Sequence, residues 1–359
     1  MDNNSLYKTL TVTCGGGTYD VVIGENILKN VGGYAMNVCP TTKTVFIITD
    51  DIVRRLYADC VIKSLNAAGV NAVVFEFKNG EASKNHSTLV NIYNAMIDAK
   101  ITRSDLVVAI GGGVVGDVAA YAAATYTRGI KFIHVPTTLI SQADSSLGGK
   151  CAVNVGGTKN IVGSFFQPSM VISDTGCLTT LNAREYGSGL AEVIKCACIK
   201  DAEFFDTIMA ANPGELDLNN AIHRCCEIKK YYIEADELDR NLRHTLNFGH
   251  TVGHAIEACS EYALAHGEAV GIGMLVAAKI GEDMGVTKRG VAALLEATLR
   301  KYNLPTEIPK GHIPNYRDFI ASDKKRHGDY ISYVILEDIG RARIVAMDMQ
   351  ELLASECMP

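Results

Sequence analysis

Residues 105–117 read DLVVAIGGGVVGD, and the chain runs on through AAYAAATY to Tyr126. The apolar run Leu106 to Ile110 suits a strand buried on both faces. Gly111, Gly112 and Gly113 then let the backbone turn sharply and approach an oxyanion, and the helix start that follows offers free N–H groups and a partial positive charge. Gly111, Gly113 and Gly116 also satisfy G-x-G-x-x-G, yet the match falls after a third or fourth strand, with no acid about 20 residues downstream to hold a ribose. The stretch therefore reads either as a dinucleotide cradle or as a tight strand-to-helix turn. Asp50, which ends the run TVFIIT, is an acid that a sheet could bring beside the glycines.

Working outward, Thr44 to Thr49, Ala72 to Glu76, Lys131 to Val135 and Met170 to Ser173 are similar apolar runs bounded by turn residues. Spacings of about 25 residues leave room for crossover helices, so a parallel sheet is the expectation, with a ligand site beyond the carboxyl ends of its strands. After Asp174 the texture changes. Helical periodicity dominates from Ala183 to Lys301, and β-branched runs return only at Tyr330 to Leu336 and Arg343 to Ala346. The expected class is α/β: a Rossmann-like parallel-sheet domain over 1–178 and a mainly helical domain over 179–359, packed around a cleft.

At 359 residues, with 48% apolar and 21% charged residues, the composition is that of a folded globular chain. A net charge of −6 without a basic block argues against a nucleic-acid partner. The 11 cysteines are scattered with no C-x-x-C pair, as expected of reduced thiols. Met1 to Thr9 lacks the charge and apolar run of a signal peptide, and no window supplies about 18 uncharged apolar residues; no membrane association and a cytosolic location are the expectations.

The second half contains LNFGHTVGHAIE, which sets His250 and His254 four apart on one helical face, with His266 sixteen residues after His250. Two imidazoles and a carboxylate make a catalytic zinc-type site, and Glu192 in GLAEVIK is the nearest helical carboxylate. Spacing alone leaves open whether His250 and His254 are a ligand pair or hydrogen-bonding residues of a helical core, since the Glu that follows the first His in metalloproteases is missing. Lys150, Lys159, Lys195, Lys229, Arg243, Lys324 and Lys325 sit in Gly, Asn or Asp turns or in apolar helices. Lys195 shares a helix face with Glu192. Any one of these cations reads as a surface residue; together they suit a phosphorylated, carboxylated small molecule.

At these residues the chain resembles the 3-dehydroquinate synthases, members of the sugar-phosphate cyclase superfamily. The matching segments are NGEASKN, IGGGVVGDVAAYAAATYTRGI, VPTTLISQADSSLGGK, TKNIVGSFFQP, SGLAEVIK, DELDRNLRHTLNFGHTVGHAIE, HGEAV and SDKK, spread over nearly the whole length. The resemblance implies that Glu192, His250 and His266 bind a metal, zinc or cobalt, while His254 points to substrate, which demotes the pairing of the two helical histidines. For NAD it implies Asp50, Glu81, Lys84, Gly111, Gly112, Gly113 and Asp117. Thr137, Thr138, Lys159 and Thr180 complete that set. For the substrate it implies Asp144, Lys150, Asn160, Lys195, Lys229, Arg243, Asn247 and His254, with a lysine of SDKK, Lys324 or Lys325. A homodimer is also implied, with Arg128 reaching the neighbouring subunit's phosphate site.

The activity implied is a redox-neutral cyclisation of 3-deoxy-D-arabino-heptulosonate 7-phosphate in the shikimate pathway of aromatic amino acid biosynthesis. The C5 alcohol is oxidised by NAD⁺, phosphate is eliminated, the hydride returns, and ring opening and an intramolecular aldol closure give 3-dehydroquinate. The departing phosphate is implied to take the proton itself. Several residues depart from the family pattern: Cys151 and Ala152 after GGK, Thr158 before Lys159, Ala197, Asp239 for Glu and Asn241 for Gly. Asn tolerates positive φ, so Asn241 is expected to keep the turn. The rival readings are sister cyclases whose substrates lack the carboxylate, a metal-dependent polyol dehydrogenase, and a non-catalytic metal-binding protein. Sister cyclases replace the residues equivalent to Arg243 and Asn247, and both are present here.

Overall fold

The computed structural model describes residues 7–260, 263–308, 320, 326–327 and 330–358. Its contacts group the chain into two compact units, one running to Leu181 and including Leu218–Lys230, the other formed by Asn182–Asp217 and the chain from Tyr231 onward.

In the first unit β1 (Tyr7–Cys14) and β2 (Gly17–Gly24) form an antiparallel hairpin, which leads into β3 (Thr44–Asp50), β4 (Asn71–Phe77), β5 (Leu106–Gly111) and β6 (Phe132–Pro136). A separate hairpin, β7 (Lys150–Val155) with β8 (Thr158–Phe165), precedes β9 (Met170–Asp174). The main sheet has the order β1-β2-β9-β6-β5-β3-β4 and is parallel throughout except at the β1 edge. Strand residues alternate between two cores, as period 2 demands. Val45, Ile47, Val108 and Ile110 pack with Val31 and Ala35 of α1 (Val31–Val38) and Val61 and Leu65 of α2 (Asp59–Ala67). Phe46, Ile48, Val107 and Ala109 pack on the other face with Leu89 and Ile92 of α3 (His86–Asp98) and Val118 and Ala119 of α4 (Gly113–Thr125). This two-sided burial is why those strands read as continuous apolar runs.

The residues Leu218–Lys230 lie beyond 178 in sequence yet group with the sheet unit. Lys8 donates to Asn220 at 2.7 Å, Thr175 to Asn219 at 3.0 Å, and Lys229 to the Asp144 carbonyl at 2.6 Å, which ties the segment to the sheet unit through polar contacts that hydrophobic periodicity does not signal.

The second unit holds α5 (Ala183–Lys200), α6 (Ala202–Ala210), the end of α7 (Leu218–Ala235), α8 (His250–Cys259), α9 (His266–Asp283) and α10 (Val291–Lys301). It also holds a sheet of β10 (Arg326–His327), β11 (Tyr330–Asp338) and β12 (Arg341–Asp348), followed by α11 (Met349–Ala354). Two glycines of α9 set the spacing of its helices. A Cβ on Gly267 would lie 2.0 Å from the Ser188 carbonyl oxygen on α5, and one on Gly273 would lie 2.0 Å from the Gly249 carbonyl oxygen at the start of α8. Only glycine allows backbones so close, and the residues beside these contacts are Glu192, His250 and His266.

Candidate active site

In the sheet unit the expected cofactor residues gather at the carboxyl ends of neighbouring strands. Gly111 ends β5, and Gly112 is the N-cap of α4. Thr137 donates its N–H to the Gly111 carbonyl at 3.0 Å, and a Cβ on Gly112 would come within 2.9 Å of the Thr138 methyl, so the β6 loop borders the glycine turn directly. Gly116 serves packing: its absent Cβ would stand 2.3 Å from Cε1 of His134 beneath the helix. Asp50 ends β3, where Oδ1 accepts from the N–H groups of Ile52 and Val53 and Oδ2 accepts from Asn79 at 3.1 Å. The acid beside the glycines is thus also a helix cap.

Lys84 is buried, with its ammonium on the Asp117 carboxylate and 2.5 Å from the Asn160 amide oxygen. Burial holds the Asp117 pKa above the usual carboxylate range, a rise that the Lys84 ammonium only partly offsets. Asn154 joins the hairpin to this segment. Its amide donates to Glu81 at 2.8 Å and accepts from the Asn160 N–H at 2.9 Å, while its own N–H donates to the Lys84 carbonyl at 2.9 Å. Lys159 lies beside Asn160 on β8, Lys150 is exposed where β7 begins, and Thr180 shares a 2.5 Å contact with the Tyr57 hydroxyl. The Lys229 ammonium pairs with the Asp144 carboxylate.

In the second unit Glu192 and Lys195 are both almost wholly buried on α5, with their charged ends 2.5 Å apart. The other carboxylate oxygen of Glu192 faces two imidazoles, lying 3.5 Å from Nε2 of His250 and 3.2 Å from Nε2 of His266. Atoms bound about 2.0–2.2 Å from a tetrahedral ion are roughly 3.3–3.6 Å apart, so the separations of Glu192 from His250 and from His266 suit donors to one divalent cation. One ring nitrogen from each of His250, His254 and His266 also lies within 4.8 Å of the others, and His254 is the exposed member. Burial holds His250 well below the usual histidine range. Burial acts on His266 in the same sense, but hydrogen bonds to Glu192 and Glu257 outweigh it and push the ring up to about 10.

Two models of the 3-dehydroquinate synthase family, its N-terminal and C-terminal domains, match residues 74–188 and 189–326. A 3-dehydroquinate synthase from Clostridium beijerinckii is 42% identical over 93% of this chain and 97% of its own length. The chain belongs to the 3-dehydroquinate synthase family. Among solved structures it is similar to 2-deoxy-scyllo-inosose synthase complexed with carbaglucose-6-phosphate, NAD⁺ and Co²⁺, with a TM-score of 0.87 and 26% identity over 96% of this chain and 99% of the other. It is also similar to a 2-epi-5-epi-valiolone synthase from Streptomyces hygroscopicus with NAD⁺ and Zn²⁺ bound, with a TM-score of 0.83 and 27% identity over 94% and 95%.

The family segment DELDRNLR folds differently from expectation at one point. Positive φ falls at Asp239 (φ 54), whereas Asn241 has φ −148. The reason is Asp236, whose carboxylate accepts from the N–H groups of Arg240 at 3.0 Å, Asn241 at 2.7 Å and Arg243 at 3.2 Å. Those bonds set the turn, so no left-handed residue is needed at 241. The buried Arg243 follows the turn and donates to the Glu237 carbonyl at 2.6 Å; Asn247 ends the next helical turn. Arg128 is exposed at φ 67, and the preceding Thr127 has φ 51, unusual for a β-branched residue. Lys324 and Lys325 lie outside the described residues. Sequence reasoning passed over Asp236, Asn154 and Glu257, although Glu257 follows His250 by seven positions and so shares its helix face.

Proposed function

We propose that this chain is a 3-dehydroquinate synthase, converting 3-deoxy-D-arabino-heptulosonate 7-phosphate to 3-dehydroquinate and phosphate. The observation that carries the reading is the single Glu192 oxygen facing Nε2 of both His250 and His266, in a chain 42% identical to a 3-dehydroquinate synthase over 93% of its length. Glu192, His250 and His266 would hold zinc or cobalt. Asp50, Glu81, Lys84, Gly111 to Gly113, Asp117, Thr137, Thr138, Lys159 and Thr180 would hold NAD. NAD⁺ would supply reversible hydride acceptance at the substrate alcohol, and the divalent cation would supply Lewis-acid stabilisation of negative charge on oxygen.

The chain's own part is positioning and charge neutralisation. The helix start at Gly112 and Gly113 presents N–H groups suited to a pyrophosphate. Arg243 and Asn247 would orient the substrate carboxylate, with Arg243 supplying a planar fork of donors. Lys150, Asn160, Lys195, Lys229, His254 and one lysine of the SDKK segment would neutralise and orient the rest of the substrate, with Asp144 holding Lys229. Arg128, exposed on a turn held at positive φ, is offered to a second copy of the chain in a homodimer. No helix among the described residues is long and apolar enough to cross a membrane, and the 11 cysteines are free, which supports a reducing, cytoplasmic location.

The test is a substrate panel with NAD⁺ and zinc. Phosphate release is expected from the carboxylated heptulosonate phosphate and not from sugar phosphates lacking the carboxylate. The reverse preference would move the chain to the sister cyclases, and steady NADH accumulation with a simple polyol would make it a dehydrogenase.

A further inference from the structure

Resting on the metal reading of Glu192, His250 and His266, we propose that Glu257 is a positioning residue for the ion, fixing His266 so that its Nε2 serves as the ligand atom. Glu257 lies in the last full turn of α8, buried, and its Oε2 is 3.1 Å from Nδ1 of His266. The opposite nitrogen of that ring faces Glu192 Oε1 at 3.2 Å. With a cation at Nε2 the ring keeps one proton, and the Glu257 carboxylate holds that proton at Nδ1, so that Nε2 is the nitrogen that ligates.

The two ligand imidazoles are oriented by different acceptors. His250 turns Nδ1 to the Phe248 carbonyl at 3.1 Å, a neutral partner on its own loop. His266 uses a carboxylate from another helix, so α8 supplies one ligand and orients the second, which stands at the first position of α9. The same connection is fixed by Ser260, which donates to the Glu257 carbonyl at 2.9 Å and accepts from the Leu264 N–H at 3.2 Å. A charged outer partner raises the donor strength of the ligand nitrogen, and loss of such a partner typically costs 10- to 100-fold in metal affinity.

The experiment is competition for Zn²⁺ between the full chain and a chromogenic chelator, with the visible spectrum of the Co²⁺ form as a second readout. Glu257→Gln keeps the shape and removes the charge, and it should weaken Zn²⁺ about 10- to 100-fold and shift the Co²⁺ bands while NAD⁺ affinity holds. In a His266→Ala background the same substitution should change Zn²⁺ affinity less than about twofold, because its effect passes through His266. If Glu257→Gln does not fold, Glu257→Asp should give an intermediate loss. Wild-type Zn²⁺ affinity and Co²⁺ spectrum in either variant, or an undiminished effect without His266, overturns the proposal. Failure of the metal reading looks different, since the unaltered chain would then take up no Zn²⁺ or Glu192→Gln would bind it normally.

Discussion

Gly116→Ala is expected to reverse the sign of its effect when His134 is removed. The new Cβ would lie 2.3 Å from Cε1 and 2.4 Å from Nε2 of a histidine ring that is itself buried, about 1 Å inside ordinary contact, so ring or helix must move. Overpacking of this kind costs about 1–3 kcal/mol, and alanine's better helix propensity returns about 0.5–1 kcal/mol. The net expectation is a loss of about 1 kcal/mol, within a range of about 0–2.5, and a weaker hold on NAD⁺, because α4 starts at the glycine turn. In a His134→Ala background the clash vanishes and the propensity gain remains, so Gly116→Ala should stabilise by about 0.5–1 kcal/mol. Urea unfolding of the four proteins, with NAD⁺ titrations beside it, measures both effects. Equal shifts in the two backgrounds would refute the packing argument for the third glycine.

Burial holds the His134 pKa down at about 4, so the unfolded chain takes up that proton first as pH falls. The stability this residue contributes should be complete above about pH 6.5 and fall by about 3 kcal/mol towards pH 4, a slope that His134→Gln should flatten; parallel pH profiles of the urea midpoint would count against it. Lys84→Met strips Asp117 and Asn160 of a shared ammonium, and it should weaken NAD⁺ binding more than tenfold and cost about 3 kcal/mol, less any part recovered when Asp117 takes up a proton. Unchanged NAD⁺ affinity in isothermal titration would remove Lys84 from the cofactor site. Zn²⁺ at about 100 times its dissociation constant should stabilise the chelated chain by about 2.7 kcal/mol, and Glu192→Gln should lose most of that gain.

The central strands were legible because both faces of TVFIIT, LVVAI, KFIHV and MVIS are buried, which leaves apolar runs without polar interruption. The hairpins were not. β1 alternates polar and apolar residues at the sheet edge, β2 has only the three-residue apolar run Val21 to Ile23, and β7 and β8 mix Lys, Asn and Thr with short apolar pairs, although the Gly156–Gly157 turn between them was an available hairpin signal. Spacing exposed His250, His254 and His266 as a group, but Glu192 comes to them from 58 positions earlier, through helix contacts that glycine makes possible. The residues offered Glu192 only as the nearest helical carboxylate, and the resemblance made it a ligand beside His250 and His266. Outer residues such as Asp236, Asn154 and Glu257 act through the backbone or another side chain, and spacing carries no record of such roles.

The most direct test of the account follows phosphate release from the heptulosonate phosphate with catalytic NAD⁺ and Zn²⁺, comparing the unaltered chain, the chain with a chelator and Glu192→Gln. Turnover without net NADH is expected in the first case and loss of turnover in the other two. Turnover that persists after the metal and the carboxylate are gone would contradict it.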